Sequence, residues 1–108
     1  RWRRAARATA SHSTLSLDDV SSARLAPPRP GEGGARLIDG PRRVILESAA
    51  PGPDGLRVEL AHDGWRSLHG LTHARILRLS ADGRTVEGED LLTTLNAADG
   101  ALFDRSLR

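Results

Sequence analysis

The chain has 108 residues, with 16 basic side chains, all of them Arg, against 14 acidic ones, and it contains no Cys, Met or Tyr. The lack of Cys excludes a disulfide framework and cysteine-ligated zinc, and no apolar run approaches the roughly 20 residues of a membrane-spanning helix. The formal net charge of only +2 lacks the large positive excess typical of nucleic-acid binders.

The length predicts one small domain or part of a larger one. Because the chain begins with Arg1 and has no methionine, we expect it to be a piece of a longer protein. Its only aromatic side chains are Trp2, Trp65 and Phe103, so the core must rest on Leu, Val and Ile and should be thin. We divide the chain into a basic arm or truncated connection (1–12), a β-sandwich region (13–94) and a tail (95–108).

The first seven residues form a basic segment with four arginines around Trp2. Arginine pairs well with the carboxylates and sulfates of an anionic polysaccharide. Arginine beside an aromatic ring is also typical of RNA-stacking arms, and a simple solvated linker has the same composition. These three interpretations remain open.

Short strands separated by Gly- and Pro-rich loops are predicted along the first half of the chain. Residues 14–20 alternate in polarity and predict a strand, and residues 22–25 and 36–38 predict two shorter ones. Residues 26–34 contain three prolines and three glycines, which predicts a loop. The apolar run in residues 43–47 predicts a central, well-buried strand.

The second half predicts an antiparallel arrangement. Leu56, Val58 and Leu60 alternate with charged residues and should face inwards. Residues 72–80 and 84–93 predict a hairpin around the turn at residues 81–83, with Gly88 as a β-bulge, and residues 95–108 predict a frayed end or a short helix. Strands at this spacing predict an all-β fold, an incomplete antiparallel β-sandwich with an irregular N-terminal arm and C-terminal tail.

Several side chains are candidates for a metal or acid–base site. His62, Asp63, His69 and His73 fall within twelve residues, which suggests metal ligands, but turn chemistry and strand-face polar groups are the favoured explanation. The acidic residues at positions 87, 89 and 90 resemble a catalytic carboxylate pair, but strand alternation should separate them onto different faces. A solvated face is therefore the favoured interpretation there.

An ordered set of short motifs resembles the C-terminal β-sandwich region of bacterial heparinase II/III-like proteins. The resemblance covers about residues 1–92 and rests on the following residues in chain order: Arg7, Thr9, His12, Thr14, Leu15; Asp63, Gly64; Gly70, Leu71, Thr72, His73, Arg75; Leu79, Ser80, Asp82, Gly83; Gly88, Glu89, Asp90.

The resemblance implies part of a polysaccharide lyase, in which an N-terminal α/α toroid and a C-terminal sandwich cleave glycans beside a uronic acid by β-elimination. Family members use Asn, His and Tyr for this chemistry; this chain has no Tyr, and its single Asn, Asn96, lies outside the matching motifs. We therefore expect the chain itself to be non-catalytic. Non-catalytic carbohydrate binding or packing, and less favourably nucleic-acid binding through the arginines, are the alternatives.

The resemblance also implies specific sites and partners. Expected substrate-binding residues are His62, Asp63, Trp65, where family members tend to carry Tyr, and Arg75, while His12 matches a position that ligates a structural metal in some members. The chemistry requires no cofactor, but the complete protein could hold a structural zinc or calcium ion. The expected partners are an acidic polysaccharide and the toroid, with no membrane, and the expected location is the cell envelope or periplasm, with the cytoplasm left open.

Overall fold

The computed structural model describes residues 12–107. The chain divides into two units, with the boundary between Gly40 and Pro41. The expected all-β class is confirmed, because antiparallel strands in two sheets, with few helices, make up most of the regular secondary structure in the described residues. No helix in residues 12–107 has both the length and the apolar character needed to cross a membrane.

The first unit contains a two-stranded antiparallel sheet formed by β1 (Arg24–Leu25) and β2 (Leu37–Asp39). The strand predicted over residues 14–20 is wrong. Leu17 and Val20 instead form an isolated bridge around a tight turn, in which Asp18 and Asp19 have φ of 53° and 57°. Asp is among the few non-Gly residues that tolerate this left-handed conformation, so local turn chemistry overrides the alternating pattern.

The second unit is a four-stranded antiparallel meander in chain order. Its strands are β3 (Val44–Ser48), β4 (Leu56–Trp65), β5 (Leu71–Leu79) and β6 (Val86–Thr93). The two long strands β4 and β5 occupy the centre, while β3 and β6 form the edges. A short helix, α1 (Arg66–His69), connects β4 to β5.

The prediction that residues 43–47 form a central, buried strand is wrong. These residues do form a strand, but β3 lies at the sheet edge, and Val44 and Leu46 are 69% and 67% exposed. A short apolar run indicates a strand without fixing its place in the sheet. The longer alternating segments pair on both sides, and this leaves β3 with β4 as its only neighbour within the described sheet.

Register places the predicted inward residues on one face. Leu46, Leu60 and Arg75 lie opposite one another across three strands, and Val58 and Leu77 pair one step further along. We call this surface of the sheet the apolar face. As predicted, its β4 residues are half-buried.

The hairpin between β5 and β6 is confirmed, and the bulge at Gly88 is not. Gly83 adopts φ of 70° in the turn, while Asp82 accepts hydrogen bonds from Ser80 Oγ (2.6 Å) and the Arg84 amide (3.0 Å). The β5–β6 register runs without interruption through Gly88. The irregularity lies instead in β4, between His62 and Trp65.

Of the two alternatives for the C-terminal segment, the structure has the helix, α2 (Ala97–Ser106). The Asn96 side chain caps it by accepting a 2.8 Å hydrogen bond from the Asp99 amide. Asp99 is buried and accepts hydrogen bonds from Arg66 Nε, at 3.1 Å to each carboxylate oxygen, and from the Leu95 amide. This carboxylate joins α2 to α1.

Candidate functional site

A polar cluster lies at one end of the apolar face. It consists of His62 on β4, His73 and Arg75 on β5, and Asp90 on β6, and we call these four residues the histidine cluster. Antiparallel pairing places His62 opposite His73 and Arg75 opposite Asp90. Side chains on one face at adjacent register positions are close enough to interact, so three strands converge on this polar group.

Hydrogen bonds link the two imidazole rings into a chain. The Gly64 amide donates to His62 Nδ1 (3.1 Å), His62 Nε2 lies 3.2 Å from His73 Nδ1, and His73 Nε2 lies 2.8 Å from Asp90 Oδ1. The rings meet edge to face, with their centroids 5.1 Å apart. His73 is only 4% exposed, so its ring depends on these partners for its hydrogen bonds.

Arg75 anchors the other side of Asp90. Its Nε donates to Asp90 Oδ1 (2.7 Å), and Nη2 donates to Oδ2 (3.2 Å). Such a two-point pair fixes the planes of both groups. The carboxylate therefore accepts from a guanidinium and an imidazole at once.

These contacts and burial shift the pKa values of His62, Arg75 and Asp90. The hydrogen bond from Arg75 is the largest cause that lowers the pKa of Asp90 to about 2, with His73 contributing as well. The same bond raises the pKa of Arg75. Burial lowers the pKa of His62, assisted by the nearby His73 and Arg75 and opposed by Asp63. At neutral pH the Arg75–Asp90 pair is thus fully charged, and His62 is neutral.

The irregularity in β4 sends neighbouring side chains in different directions. Asp63 turns away from the histidines, and its Oδ1 accepts hydrogen bonds from the amides of Arg42 (2.8 Å) and Arg43 (3.0 Å). The Arg43 bond is the largest cause lowering the pKa of Asp63. Asp63 therefore holds the chain at the entry to β3.

Trp65 is the most deeply buried large side chain of the described structure, with 0% exposure. Its ring lies beside His69, with centroids 6.2 Å apart, and its Nε1 has no hydrogen-bond partner among the described residues. A ring in this position packs the junction of β4, α1 and β5. Stacking on a sugar would require the junction to open.

The structure brings together only part of the predicted site. His62 and Arg75 share the histidine cluster, while Asp63 and Trp65 serve the entry to β3 and the packed junction. That all four contact substrate stays a prediction. His12 is exposed in the first unit, and its role as a metal ligand also stays a prediction.

Sequence reasoning missed that His73 and Asp90 belong to the same cluster. His73 and Arg75 are two residues apart on β5 and therefore share a face. Pairing through the turn at residues 81–83 places Asp90 opposite Arg75, so strand alternation and the turn together predict this cluster. As expected, Asp90 lies on the opposite face from its acidic neighbours at positions 87 and 89. Within residues 12–107, no three His or acidic side chains are grouped so as to hold a metal ion.

Comparisons with known proteins show the family of this chain. A family model described as "Heparinase II/III-like, C-terminal" matches residues 1–104, and the chain belongs to that family. It is also 40% identical over 93 residues to "FtsZ-localized protein C" of Caulobacter vibrioides. That match covers 82% of this chain but only 16% of the relative's length. No solved structure shows significant similarity.

Proposed function

We propose that this chain is the non-catalytic C-terminal sheet of a larger heparinase II/III-like protein that cleaves uronic-acid glycans by β-elimination. The family match over nearly the whole chain supports the parentage. The observation that carries the non-catalytic role is the closed hydrogen bonding of the histidine cluster. Every ring nitrogen of both histidines already has a partner.

β-Elimination needs a base for the C5 proton, an acid for the leaving oxygen and a group that neutralises the uronate. The chain offers no phenol, and Asn96 is committed to capping α2. His73 is buried, and both nitrogens of His62 are hydrogen-bonded. The proton-transferring groups would therefore come from another part of the complete protein.

Within this proposal, Arg75 is the best placed of the expected substrate-binding residues. Its side chain is 27% exposed, and a guanidinium binds a carboxylate in the same two-point geometry that it already makes with Asp90. A uronate would have to compete with Asp90 for it. We therefore expect Arg75 to contribute a weak, salt-sensitive contact rather than the main anchor.

The test compares the complete protein with the isolated chain on heparan sulfate and alginate, following the absorbance of unsaturated uronate. We expect the complete protein to generate product and the chain to generate none. Turnover by the chain would overturn the non-catalytic role. Failure of the complete protein on both polymers and on other uronic-acid glycans would overturn the lyase assignment.

A second candidate is a non-catalytic binding or packing module in a protein that is not a lyase. The observation favouring it is that the Caulobacter relative is named for localisation with FtsZ, a place in the cell rather than a reaction. A binding module predicts that the complete protein is retained on immobilised glycan without cleaving it. A packing module predicts neither retention nor cleavage. Nucleic-acid binding by the N-terminal arginines predicts a steep salt dependence that disappears when residues 1–7 are removed.

The remaining expectations belong to the complete protein and are proposals of the same kind. They comprise an acidic polysaccharide and an α/α toroid as partners, a structural zinc or calcium ion involving His12, and a location in the cell envelope or periplasm. Metal analysis of the complete protein and of its His12→Gln variant checks the ion. Equal metal content in the two would exclude His12 as a ligand.

A further inference from the structure

The hydrogen-bond chain of the histidine cluster fixes where each imidazole proton lies. The Gly64 amide can only donate, so His62 Nδ1 must be the acceptor and carries no proton. In the neutral ring the proton is then on Nε2, which donates to His73 Nδ1. The proton of His73 is consequently on its own Nε2 and faces the ionised Asp90.

One additional proton does not fit this arrangement. A proton added to His62 Nδ1 would face the Gly64 N–H, and one added to His73 Nδ1 would face the N–H of His62. In both cases two donors oppose each other across about 3 Å. His73 can take up a proton only if His62 moves its own to Nδ1, and that change breaks the bond to Gly64.

The bond to Gly64 lies within the irregular stretch of β4. This stretch carries Asp63, which exchanges hydrogen bonds with the Arg43 backbone: the Arg43 amide donates to its carboxylate, and the Asp63 amide donates to the Arg43 carbonyl (3.3 Å). It ends at Trp65 in the packed junction. A change at His62 is therefore transmitted directly to the residues that begin β3.

Among the described residues, the charged groups around the pair come from β4, β5 and β6. β4 contributes Asp63, β5 contributes Arg75, and β6 contributes Asp90, while the β3 residue opposite His62 is the uncharged Val44. Asp90 is already neutralised by Arg75 at 2.7 Å. Among the described residues, the remaining carboxylate near His62 is that of Asp63, and it already accepts hydrogen bonds from the amides of Arg42 and Arg43 just before β3.

We infer that the His62–His73 pair is a proton-sensitive latch, which holds the irregular stretch of β4 closed at neutral pH and releases Gly64 and the start of β3 in mildly acidic solution. Above about pH 6.5 the His62 ring is neutral and the latch is closed. Because burial lowers the pKa of His62 below 6.5 in the folded chain, the open state binds the proton more readily. The contribution of the latch is thus complete above pH 6.5 and falls as the pH drops towards the folded pKa.

The first measurement is the tautomeric state, read from the imidazole nitrogen shifts of the chain at pH 7.5. We expect both His62 and His73 to carry their single proton on Nε2. A proton on Nδ1 of either ring would overturn the proposal before any titration is made.

The second measurement is amide exchange between pH 7.5 and 5.0, corrected for the intrinsic rate at each pH. Opening of Gly64 should become up to about tenfold more frequent for each pH unit below 6.5, until His62 titrates in the folded state. Arg42 and Arg43 should follow Gly64, while Val58 and Leu77, which pair with each other in the central β4–β5 ladder, should keep their protection. Equal loss at all five amides would indicate general unfolding and overturn the latch.

The matched variants are His62→Asn and His69→Gln. Asn offers Oδ1 as an acceptor for Gly64 close to the position of His62 Nδ1 and cannot titrate, so it should keep the irregular stretch closed at pH 7.5 and abolish the pH dependence. His69 lies outside the cluster, and its variant should retain the wild-type pH dependence. Persistence of the pH dependence in His62→Asn, or its loss in His69→Gln, would contradict the assignment.

Discussion

Gly70 and Asp99 are in direct backbone contact, although 29 positions separate them in the chain. Gly70 ends α1 with φ of 66°, and a Cβ at this position would collide with the carbonyl of Asp99 in α2. Only glycine combines the left-handed conformation with this close approach. The lack of a side chain at Gly70 thus allows α2 to approach α1 closely, and the Arg66–Asp99 ion pair also links the two helices.

Replacing Gly70 with Ala should destabilise the chain by more than the conformational cost alone. A left-handed Ala costs about 1–2 kcal/mol, and the collision with Asp99 adds the cost of displacing α2. Urea unfolding measures the sum. Gly83→Ala is the matched control, because Gly83 has a similar φ of 70° but open space around its Cβ position; equal losses in the two variants would show that the contact with α2 contributes nothing.

Asp99→Ala should lower the free energy of unfolding by about 2–3 kcal/mol, since hydrogen bonds to charged groups contribute about 1.5–3 kcal/mol. The change leaves Arg66 and the Leu95 amide without their shared acceptor. Asp104→Asn, on an exposed position of the same helix, should change stability by less than about 0.5 kcal/mol. A neutral Asp99→Ala would mean that α2 is not held by this carboxylate.

Asp90→Asn should remove part of the acid sensitivity of the chain. The pKa of Asp90 is about 2 in the folded state against an ordinary value of 3.8, so its contribution to stability is present above about pH 4 and is lost as the pH falls towards 2. Asn keeps an oxygen acceptor for His73 but lacks the charge. Urea unfolding from pH 5 to 2 should therefore show wild type and variant converging at low pH.

The size of this difference should be modest, because the Asp90 side chain is 42% exposed and solvent screens the pair. Glu89→Gln is the control: its contact with Arg78 is 3.7 Å long, and both side chains are exposed. We expect the Glu89 variant to follow wild type at every pH. A constant gap between wild type and Asp90→Asn down to pH 2 would disprove the assigned pKa.

Asp63→Ala should loosen the start of β3 without unfolding the centre of the sheet. Its Oδ1 is the acceptor for two amides, at Arg42 and Arg43, and each lost hydrogen bond to a carboxylate exposes an amide to exchange. Hydrogen exchange should accelerate at these two positions. Asp63→Asn retains an oxygen at the same place, so its exchange rates at Arg42 and Arg43 should lie between those of wild type and Asp63→Ala. Wild-type protection in Asp63→Ala would exclude the proposed role.

Local patterning predicted the hairpin, its turn and the inward residues of β4, because period-two alternation and an Asp-Gly turn act over a few residues. The position of β3 could not be derived in the same way. A run such as Val44-Ile45-Leu46 predicts extended structure. Its place in the sheet depends on how the other strands pair. The turn at Asp18-Asp19 was missed because both residues adopt a left-handed backbone that the alternation does not reveal.

The sequence predicted only part of the candidate site. His62 and Arg75 were selected from the sequence, but the irregular stretch of β4 separates His62 from Asp63 and buries Trp65. One inserted residue changes the direction of every side chain that follows it. The resemblance to heparinase II/III-like proteins named the family correctly, whereas the separate positions of Asp63 and Trp65 depend on that single irregularity.

The outer edge of β3 has a consequence for handling the protein. Within its sheet β3 pairs with β4 on one side only, and Val44, Ile45 and Leu46 are 69%, 38% and 67% exposed, so the strand resembles a template onto which further chains can add. We expect the isolated polypeptide to form fibrils when its solution is concentrated. The Ile45→Lys substitution should prevent this aggregation.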